Sequence, residues 1–329
     1  MIDEQTWKEV VDRLEKAERV VITTHVNPDG DAIGSEVAVS EILAQKGKQV
    51  HIFNHSPTPK LYDFLNGRGW IEHFDASRHE PLLEEADLAI ILDISDWARL
   101  GEVGKALQKS DVYRICIDHH IVTDGVAQLM VVDRQASCTG EIVFDLAKRV
   151  GADISGRLAE ALYTCVLTDT GSFRFTNTTP KAHRMAAELI ERGVPFLEIY
   201  ERVYEQNSPG RICLLAEAIR DLHFENGGKI AWFRVTQKML KRCNASYWET
   251  ENLPEMPRSI QGVEVTIMFA ETAEGFVKVS LRSKGRVSVH DLANKFGGGG
   301  HPYAAGARLK GSLDEVVPVI LNEAKALFR

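Results

Sequence analysis

The sequence has few cysteines, and none of them are paired as C-x-x-C. The five cysteines are scattered over 329 residues, at Cys116, Cys138, Cys165, Cys213 and Cys243. This spacing predicts neither a disulfide framework nor a zinc finger, because both need closely spaced cysteine sets. Several of the cysteines stand within apolar runs, so we expect buried free thiols.

Long apolar runs are also missing, and we expect no signal peptide at the start of the sequence. No apolar stretch reaches the roughly 20 residues that a membrane-spanning helix needs. The first five residues are acidic and unlike a signal peptide. A hydrophobic fraction of 44% and a charged fraction of 26% are ordinary for a soluble globular protein. We therefore expect a cytoplasmic protein that does not contact membranes.

The chain also lacks a basic stripe. Its 39 lysines and arginines are outnumbered by 47 aspartates and glutamates, which gives a net charge of −8. Proteins that bind long nucleic acid gain much of their affinity by neutralising many phosphates. The charge balance therefore argues against long duplexes and favours short or small anionic substrates.

What the chain does contain is a series of acidic and imidazole side chains that follow apolar runs. The densest segment carries His25, Asp29 and Asp31, directly after the β-branched run at residues 20–24 and before a helical pattern. In open parallel sheets such strand-to-helix turns lie at the carboxyl ends of strands, where ligands bind. The segment is therefore a candidate ligand set.

The same order of strand and ligand recurs along the chain. A strand pattern at residues 88–92 is followed by Asp93, and another at residues 113–117 is followed by Asp118-His119-His120. Asp169 ends an apolar helical pattern. We expect three strands to end at one edge of a sheet and to carry these side chains together.

Each piece has a plainer explanation when it is taken alone. Asp29-Gly30-Asp31 is typical of a turn, Asp93 and Asp169 are typical of helix ends, and paired histidines occur in polar loops. The combination is harder to explain, because clustered buried carboxylates repel one another without a cation. The series therefore predicts a metal site.

The ligand types narrow the choice of metal ion. Carboxylates with a few imidazoles and no thiolates favour Mn²⁺, Mg²⁺ or Fe²⁺ over a structural zinc site, with Co²⁺ also able to bind. We expect manganese. Asp29 and Asp31 lie on either side of Gly30 and could address two ions, as in centres for in-line displacement at phosphorus.

These motifs resemble those of the DHH phosphoesterase superfamily. The resemblance rests on residues 25–35, on Asp93, on Asp118-His119-His120 and on Thr168-Asp169-Thr170-Gly171. Residues 296–306, with four glycines before His301, resemble the glycine-rich motif of the DHH-associated domain. The order and spacing are most similar to the oligoribonuclease/pAp phosphatase branch of that superfamily.

The resemblance implies roles for individual residues. The metal ligands would be His25, Asp29 and Asp93 for one ion, and Asp31, Asp93, His119 and Asp169 for the other, with Asp93 bridging. A hydroxide held between the ions would be the nucleophile. The catalytic group comprises Asp31, His120, which would contact the scissile phosphate, and Asp118, which would orient a ligating imidazole.

The resemblance also implies substrate-binding residues near the end of the chain. These are Gly298, Gly299, Gly300, His301 and Arg282, together with His120. Consecutive glycines are costly in a helix or strand, so we predict a loop whose backbone N–H groups reach a phosphate. A flexible linker is the alternative. Arg282, Lys284 and Arg286 are also compatible with a solvated hairpin end.

The predicted fold is α/β, with two domains. A doubly wound, mostly parallel sheet spans residues 1–193, a connector helix and linker spans 194–210, and a smaller α/β domain spans 211–329. Within the smaller domain we predict a strand at 230–235 and a hairpin at 263–281. Because the two motif sets lie in different domains, we expect the active site in the cleft between them.

The resemblance implies a metal-dependent phosphohydrolase. It would degrade short oligoribonucleotides (nano-RNA) to mononucleotides and dephosphorylate 3′-phosphoadenosine 5′-phosphate (pAp). Hydrolysis of cyclic dinucleotides or linear pApA is an alternative, as is a nucleotide-binding regulator that no longer turns over. A regulator would be expected to have lost a ligand, yet every ligand is present. The sequence leaves open the cleavage polarity, the substrate ranking and whether the chain is a homodimer.

Overall fold

The apolar β-branched runs of the first 132 residues form a six-stranded sheet. The computed structural model describes residues 2–67, 69–122 and 124–328, except for the side chain of His301. It divides the chain into two compact units, Met1–Gln206 and Asn207–Arg329. The strands of the first unit are β1 (Arg19–Thr23), β2 (Gln49–Asn54), β3 (Ile71–His73), β4 (Leu88–Leu92), β5 (Arg114–Asp118) and β6 (Leu129–Val132).

All strand pairs in this sheet are parallel, in the order β3-β2-β1-β4-β5-β6. Strands β1, β2 and β3 follow one another toward one edge of the sheet, and β4 then pairs with the other side of β1. The strand order therefore reverses between β1 and β4. Ligands of open α/β sheets bind at the carboxyl ends of the strands that flank such a reversal. The topology therefore singles out the ends of β1 and β4.

Helices cover both faces of this sheet. They are α1 (Glu4–Lys16), α2 (Gly30–Gln45), α3 (Ala76–Glu84), α4 (Gly101–Lys109), α5 (Thr139–Arg149), α6 (Gly156–Asp169), α7 (Pro180–Glu191) and α8 (Phe196–Tyr204). One apolar core joins the sheet to α1, α2 and α5 to α8, and a second core joins its other face to α3 and α4. The predicted doubly wound α/β fold is confirmed.

Helix α2 is buried almost along its whole length, and glycines set its distance from α6. A Cβ atom on Gly34 would lie 2.5 Å from the sulfur of Cys165, and one on Gly30 would lie 2.5 Å from Oγ1 of Thr168. Only glycine allows the two helices to approach this closely. The crossing places the start of α2 beside the end of α6, where Asp31 and Asp169 lie.

The second unit has its own six-stranded sheet, in the order β11-β12-β10-β9-β8-β7. Its strands are β7 (His223–Glu225), β8 (Ile230–Val235), β9 (Val265–Glu271), β10 (Phe276–Ser283), β11 (Gly299–His301) and β12 (Ala304–Lys310). The pair β8/β9 is parallel and the other pairs are antiparallel. The predicted strand at 230–235 and the predicted hairpin are both present.

Helices pack on both faces of this second sheet. They are α9 (Pro209–Arg220), α10 (Gln237–Cys243), α11 (Glu255–Arg258), α12 (His290–Lys295) and α13 (Leu313–Ala326). One apolar core lies under α12 and α13, and the other lies under α9 and α10. Since the side chains of β10 alternate between the two faces, Lys278, Ser280 and Arg282 lie on the face of α9 and α10.

The prediction that the glycine run is wholly a loop is wrong. Gly299 and Gly300 belong to β11, which pairs with β12. A Cβ atom on Gly298 would lie 2.1 Å from the carbonyl oxygen of Gly306, and Gly300 has φ +132°. The glycines are therefore required by the close approach of two backbones, which outweighs the low intrinsic strand preference of glycine.

The cysteines also depart from the prediction in one respect. Cys213 of α9 and Cys243 of α10 form a disulfide, with their Cα atoms 5.4 Å apart. Cys116, Cys138 and Cys165 are buried free thiols, as predicted. The two bonded cysteines are 30 positions apart in sequence, so their pairing depends on how α9 and α10 pack.

None of the helices in the described part of the chain combines the length and the apolar character that a membrane span requires.

Candidate metal centre

Two predicted ligands follow the strands that flank the reversal of the first sheet. His25 lies two residues after β1, and Asp93 directly follows β4. Nε2 of His25 is 3.5 Å from Oδ2 of Asp93. With Asp29, they form a group whose ligand atoms lie within 4.8 Å of one another.

A second group consists of Asp31, His119 and Asp169, with ligand atoms again within 4.8 Å of one another. Nε2 of His119 lies 3.9 Å from Asp31 Oδ2, 3.6 Å from Asp93 Oδ1 and 3.7 Å from Asp169 Oδ2. This nitrogen is buried and has no hydrogen-bond partner among the described residues. It faces three carboxylates at distances that suit a cation held between them.

Asp93 connects the two groups, because each of its oxygens faces a different imidazole. Oδ2 is directed to His25 and Oδ1 to His119. The backbone of Asp93 has φ +61°, in the left-handed region that non-glycine residues rarely adopt. Local strain of this kind persists where the surrounding structure requires it, and it is common at functional sites.

The electrostatics of the centre favour a bound cation. Burial raises the pKa of Asp93 well above its usual range, and the charges of Asp31, Asp29 and Asp169 raise it further. Burial and the charge of Asp31 raise the pKa of Asp169 to about 8. A divalent cation would remove the repulsion among these carboxylates. Together with the unsatisfied nitrogen of His119, this donor set fits hard divalent ions.

The start of α5 holds Asp31 in place through a contact that was not predicted from the sequence. The backbone N–H groups of Thr139 and Gly140 donate to the two oxygens of Asp31 at 2.7 and 2.9 Å. A helix start stabilises a carboxylate through its free N–H groups and its dipole. The sequence signal is present in Ser137-Cys138-Thr139-Gly140, which follows strand β6 and opens a helix.

Two further polar side chains position ligands and were also missed. The hydroxyl of Thr139 donates to Asp93 Oδ1 at 2.8 Å. The amide of Asn177 donates to Asp169 Oδ2 at 2.9 Å and to the carbonyl of Ser137 at 2.8 Å. Such bonds orient metal ligands. Nothing in the local sequence of Asn177 indicates this role, because it lies in an irregular segment after α6.

Asp118 and His120 form a separate pair beside Asp93. Nδ1 of His120 lies 2.8 Å from Asp118 Oδ1, and the backbone N–H of His120 donates to the same oxygen. Burial opposes the charged form of His120, but the bond to Asp118 outweighs it and raises the pKa of the imidazole. Asp118 thus orients His120, whose ring is about two-fifths exposed and can reach a substrate.

Arg99 is a cation near the centre that lies outside the sequence motifs. Burial lowers the pKa of His25, and the positive charge of Arg99 lowers it further while Asp29 opposes the shift. Arg99 also acts against the raised pKa of His120. Its carbonyl accepts the N–H of Val26 at 2.7 Å, which fixes its backbone beside the turn after β1.

A buried glutamate supports the end of β1. Oε2 of Glu36 accepts a bond from the amide of Asn54 at 2.9 Å, and Oδ1 of Asn54 accepts the N–H of Thr24 at 3.1 Å. The hydroxyl of Thr24 donates to the carbonyl of Leu92 at 2.8 Å. This chain of bonds ties together the two strand ends that carry His25 and Asp93.

We expect Glu36→Gln to change how stability depends on pH. Burial raises the pKa of Glu36 to about 8, so the folded protein holds a proton there that the unfolded chain releases above about pH 4.5. Stability therefore falls as pH rises from about 4.5 to 8. Glutamine keeps the bond to Asn54 without titrating, and should be more stable than wild type at pH 9 by on the order of 3 kcal/mol.

Urea denaturation of the metal-free protein between pH 5 and 9 measures this effect. Glu84→Gln, at an exposed position of α3, is the matched control and should follow the wild-type profile. Parallel profiles for wild type and Glu36→Gln would show that Glu36 is ionised in the folded state.

Apart from His120, the predicted substrate-binding residues lie in the second unit. Nε of Arg282 donates to Glu255 at 3.1 Å, and Arg282 lines a cavity of about 290 Å³. The carbonyl of Gly300 lies 2.6 Å from Nδ1 of His290, which fixes the glycine segment. The predicted role of the His301 side chain falls outside the described residues. Lys284 bonds to the carbonyl of Ile260 and Arg286 to Glu264, in keeping with a hairpin end.

Comparison with known proteins identifies the family. The sequence model of the family described as 'DHH family, N-terminal domain' matches residues 19–168, and the sequence model of the DHHA1 domain matches residues 236–329. The bifunctional oligoribonuclease and PAP phosphatase NrnA of Thermus thermophilus is 34% identical over 93% of this chain and 89% of that protein. The chain belongs to the DHH family. The predicted resemblance to DHH phosphoesterases with a DHH-associated domain is confirmed, and the chain is an enzyme of that class.

Two solved structures illustrate the fold that the chain shares with known proteins. An exopolyphosphatase-related protein from Bacteroides fragilis superposes with a TM-score of 0.93 and 29% identity, over 99% of this chain and 98% of that one. Exonuclease RecJ bound to manganese matches with a TM-score of 0.55 and 14% identity, over 100% of this chain and 96% of that one. At this lower identity the RecJ match shows the fold alone.

Proposed function

We propose that this DHH-family chain is a two-metal phosphohydrolase that degrades short oligoribonucleotides to mononucleotides and removes a phosphate from pAp. The observation that carries the proposal is the arrangement around Asp93, whose two oxygens face His25 in one ligand group and His119 in the other. A single carboxylate shared in this way suits two ions that act on one phosphate. The Thermus thermophilus relative is named for both activities.

The ligand groups assign the residues of each ion. His25, Asp29 and Asp93 would hold one ion, and Asp31, His119 and Asp169 would hold the other with Asp93 shared. Two ions in such a site activate water and neutralise the charge that develops in an in-line displacement at phosphorus. Manganese is the proposed ion, because the donors are carboxylates and imidazoles.

The other residues of the centre would bind the substrate phosphate or orient the metal ligands. His120, which is held by Asp118 and whose pKa that bond raises, would present its imidazole to a non-bridging oxygen of the scissile phosphate. Thr139, Gly140 and Asn177 fix the carboxylates of Asp31 and Asp169 before substrate arrives. Preorganised groups of this kind lower the barrier because they need no rearrangement during the reaction.

The net charge of the chain and the residues of the second unit support the proposed substrates. The net charge of −8 favours small anions over long duplexes. Arg282 would bind a terminal phosphate, and the glycine segment at residues 298–300, with His301, would bind a phosphate of the same substrate. The N–H of Gly298 already donates to the carbonyl of Ala293 at 2.9 Å, so it is not among the donors to that phosphate. Guanidinium groups suit phosphate because they can form two parallel hydrogen bonds.

A kinetic panel tests the proposed function. Full-length protein with Mn²⁺ should release phosphate from pAp and mononucleotides from di- to pentaribonucleotides, and addition of EDTA should stop both reactions. Linear pApA and a cyclic dinucleotide belong in the same panel. A kcat/KM at least tenfold higher for the cyclic dinucleotide than for pAp and short RNA would overturn the assignment, as would the absence of turnover on every substrate.

A further inference from the structure

The second unit contains a cavity of about 670 Å³ whose lining includes Gly298 but none of the other predicted site residues. It opens on the face of β10 and β12 that lies opposite α12 and α13. We call it the aromatic cavity, and its defining residues are Tyr247, Trp248, Glu274, Lys278 and Arg308. Its volume is within the usual range of small-molecule sites.

Trp248 is the observation that points to a ligand. Its side chain is 75% exposed, more than any other large hydrophobic side chain in the described part of the chain. The ring of Tyr247 lies beside it, with the ring centroids 6.3 Å apart and the planes at 74°. Exposed aromatic rings at a cavity are surfaces on which nucleobases stack, because every base has a π face.

The charges of the aromatic cavity favour an anionic ligand. Nζ of Lys278 lies 5.9 Å from the Tyr247 ring centroid and has no carboxylate partner among the described residues. Arg308 lies over the ring of Phe276 and pairs with Glu274 at 3.3 Å. Two cations and one carboxylate leave a positive balance here, although the whole chain is acidic.

The aromatic cavity is adjacent to a predicted phosphate site. The smaller cavity that contains Arg282 shares Lys278 and Gly306 with it. Gly306 has no side chain to separate the two, and a Cβ atom there would lie 2.8 Å from the carbonyl of Val279. Lys278 therefore stands where a base-binding surface meets a phosphate-binding one.

We propose that the aromatic cavity binds one nucleotide of the oligoribonucleotide substrate, with its base stacked on the exposed ring of Trp248 beside Tyr247 and its phosphate held by Lys278 and Arg308. The choice of a substrate nucleotide rests on the proposed function. The chemistry itself requires only a base linked to a phosphate. Adenosine 5′-monophosphate (AMP) contains both parts, whereas adenosine lacks the phosphate and ribose 5-phosphate lacks the base.

Calorimetric titration of the metal-free, full-length protein in EDTA separates the two contacts. Trp248→Ala should weaken AMP binding by about tenfold and leave ribose 5-phosphate binding unchanged. Lys278→Gln should weaken binding of AMP and ribose 5-phosphate but not of adenosine. The matched controls are Phe224→Ala, a half-exposed aromatic of β7, and Lys238→Gln, an exposed lysine of α10. Both should bind AMP as the wild type does.

Two results would overturn the inference. One is a wild-type protein that does not bind AMP without metal, and the other is equal AMP affinity in wild type, Trp248→Ala and Lys278→Gln. In Mn²⁺, Trp248→Ala should raise the KM for a triribonucleotide about tenfold with kcat within about twofold. Wild-type protein that showed the expected AMP pattern but hydrolysed no oligoribonucleotide would refute the proposed function and leave the nucleotide site standing.

Discussion

Asp31→Asn should lower kcat/KM for pAp by about a thousandfold or more, since loss of even an outer contact to a metal ligand costs about 10–100-fold. Asp31 faces His119 in the second ligand group and accepts N–H bonds from Thr139 and Gly140. An asparagine amide can serve one of these N–H groups but turns its own NH₂ toward the other. The variant therefore loses the negative charge of Asp31, and its side chain is no longer held by both N–H groups.

Steady-state assays with saturating Mn²⁺ measure the loss. Asp63→Asn makes the same chemical change at an exposed position outside the ligand groups, and should keep wild-type kinetics. Circular dichroism should show that Asp31→Asn is folded. If Asp31→Asn were active within tenfold of wild type, the second ion would have no catalytic role. A nucleotide-binding regulator would instead give no turnover in the wild-type protein.

Asp93→Asn should act in opposite directions on metal binding and on the stability of the metal-free protein. Removal of the shared carboxylate should reduce bound Mn²⁺ from about two ions per chain to one or fewer. It also removes a buried carboxyl group whose pKa is raised by burial and by the charges of Asp31, Asp29 and Asp169. The metal-free variant should therefore be more stable than wild type by roughly 1–2 kcal/mol at pH 8.

Asparagine is the right replacement, because it accepts the bond from Thr139 and tolerates the left-handed backbone of Asp93 as well as aspartate does. Metal content by atomic emission after gel filtration, and thermal unfolding in EDTA, give the two readouts. Asp111→Asn, at an exposed position before β5, is the control. Full retention of two ions, or a metal-free protein less stable than wild type, would contradict the bridging role.

The architecture of the first unit could be predicted because its local signals agree. The runs at residues 20–24, 88–92 and 113–117 are short and mostly apolar. Each is followed directly by a polar residue, which is His25, Asp93 or Asp118. The rule that ligands gather at the carboxyl ends of parallel strands then placed their side chains together. The structure has these three strands as β1, β4 and β5, side by side around the reversal.

What could not be predicted depends on tertiary contacts. Asn177 reaches Asp169 from an irregular segment, and the Cys213–Cys243 pair depends on the packing of two helices that are remote in sequence. The glycine run was predicted as a loop from intrinsic preference, but Gly298 and Gly300 meet another backbone at distances that exclude a Cβ atom. Positive φ at Asp93 likewise leaves no mark in the sequence.

The most direct test of the two-metal centre is anomalous diffraction at the manganese edge, from crystals of the full-length protein grown with Mn²⁺. The data should show two peaks about 3.5–4 Å apart, one beside His25 and Asp29 and the other beside His119 and Asp169, with Asp93 in contact with both. A single peak, or two peaks that do not share Asp93, would contradict the proposed centre.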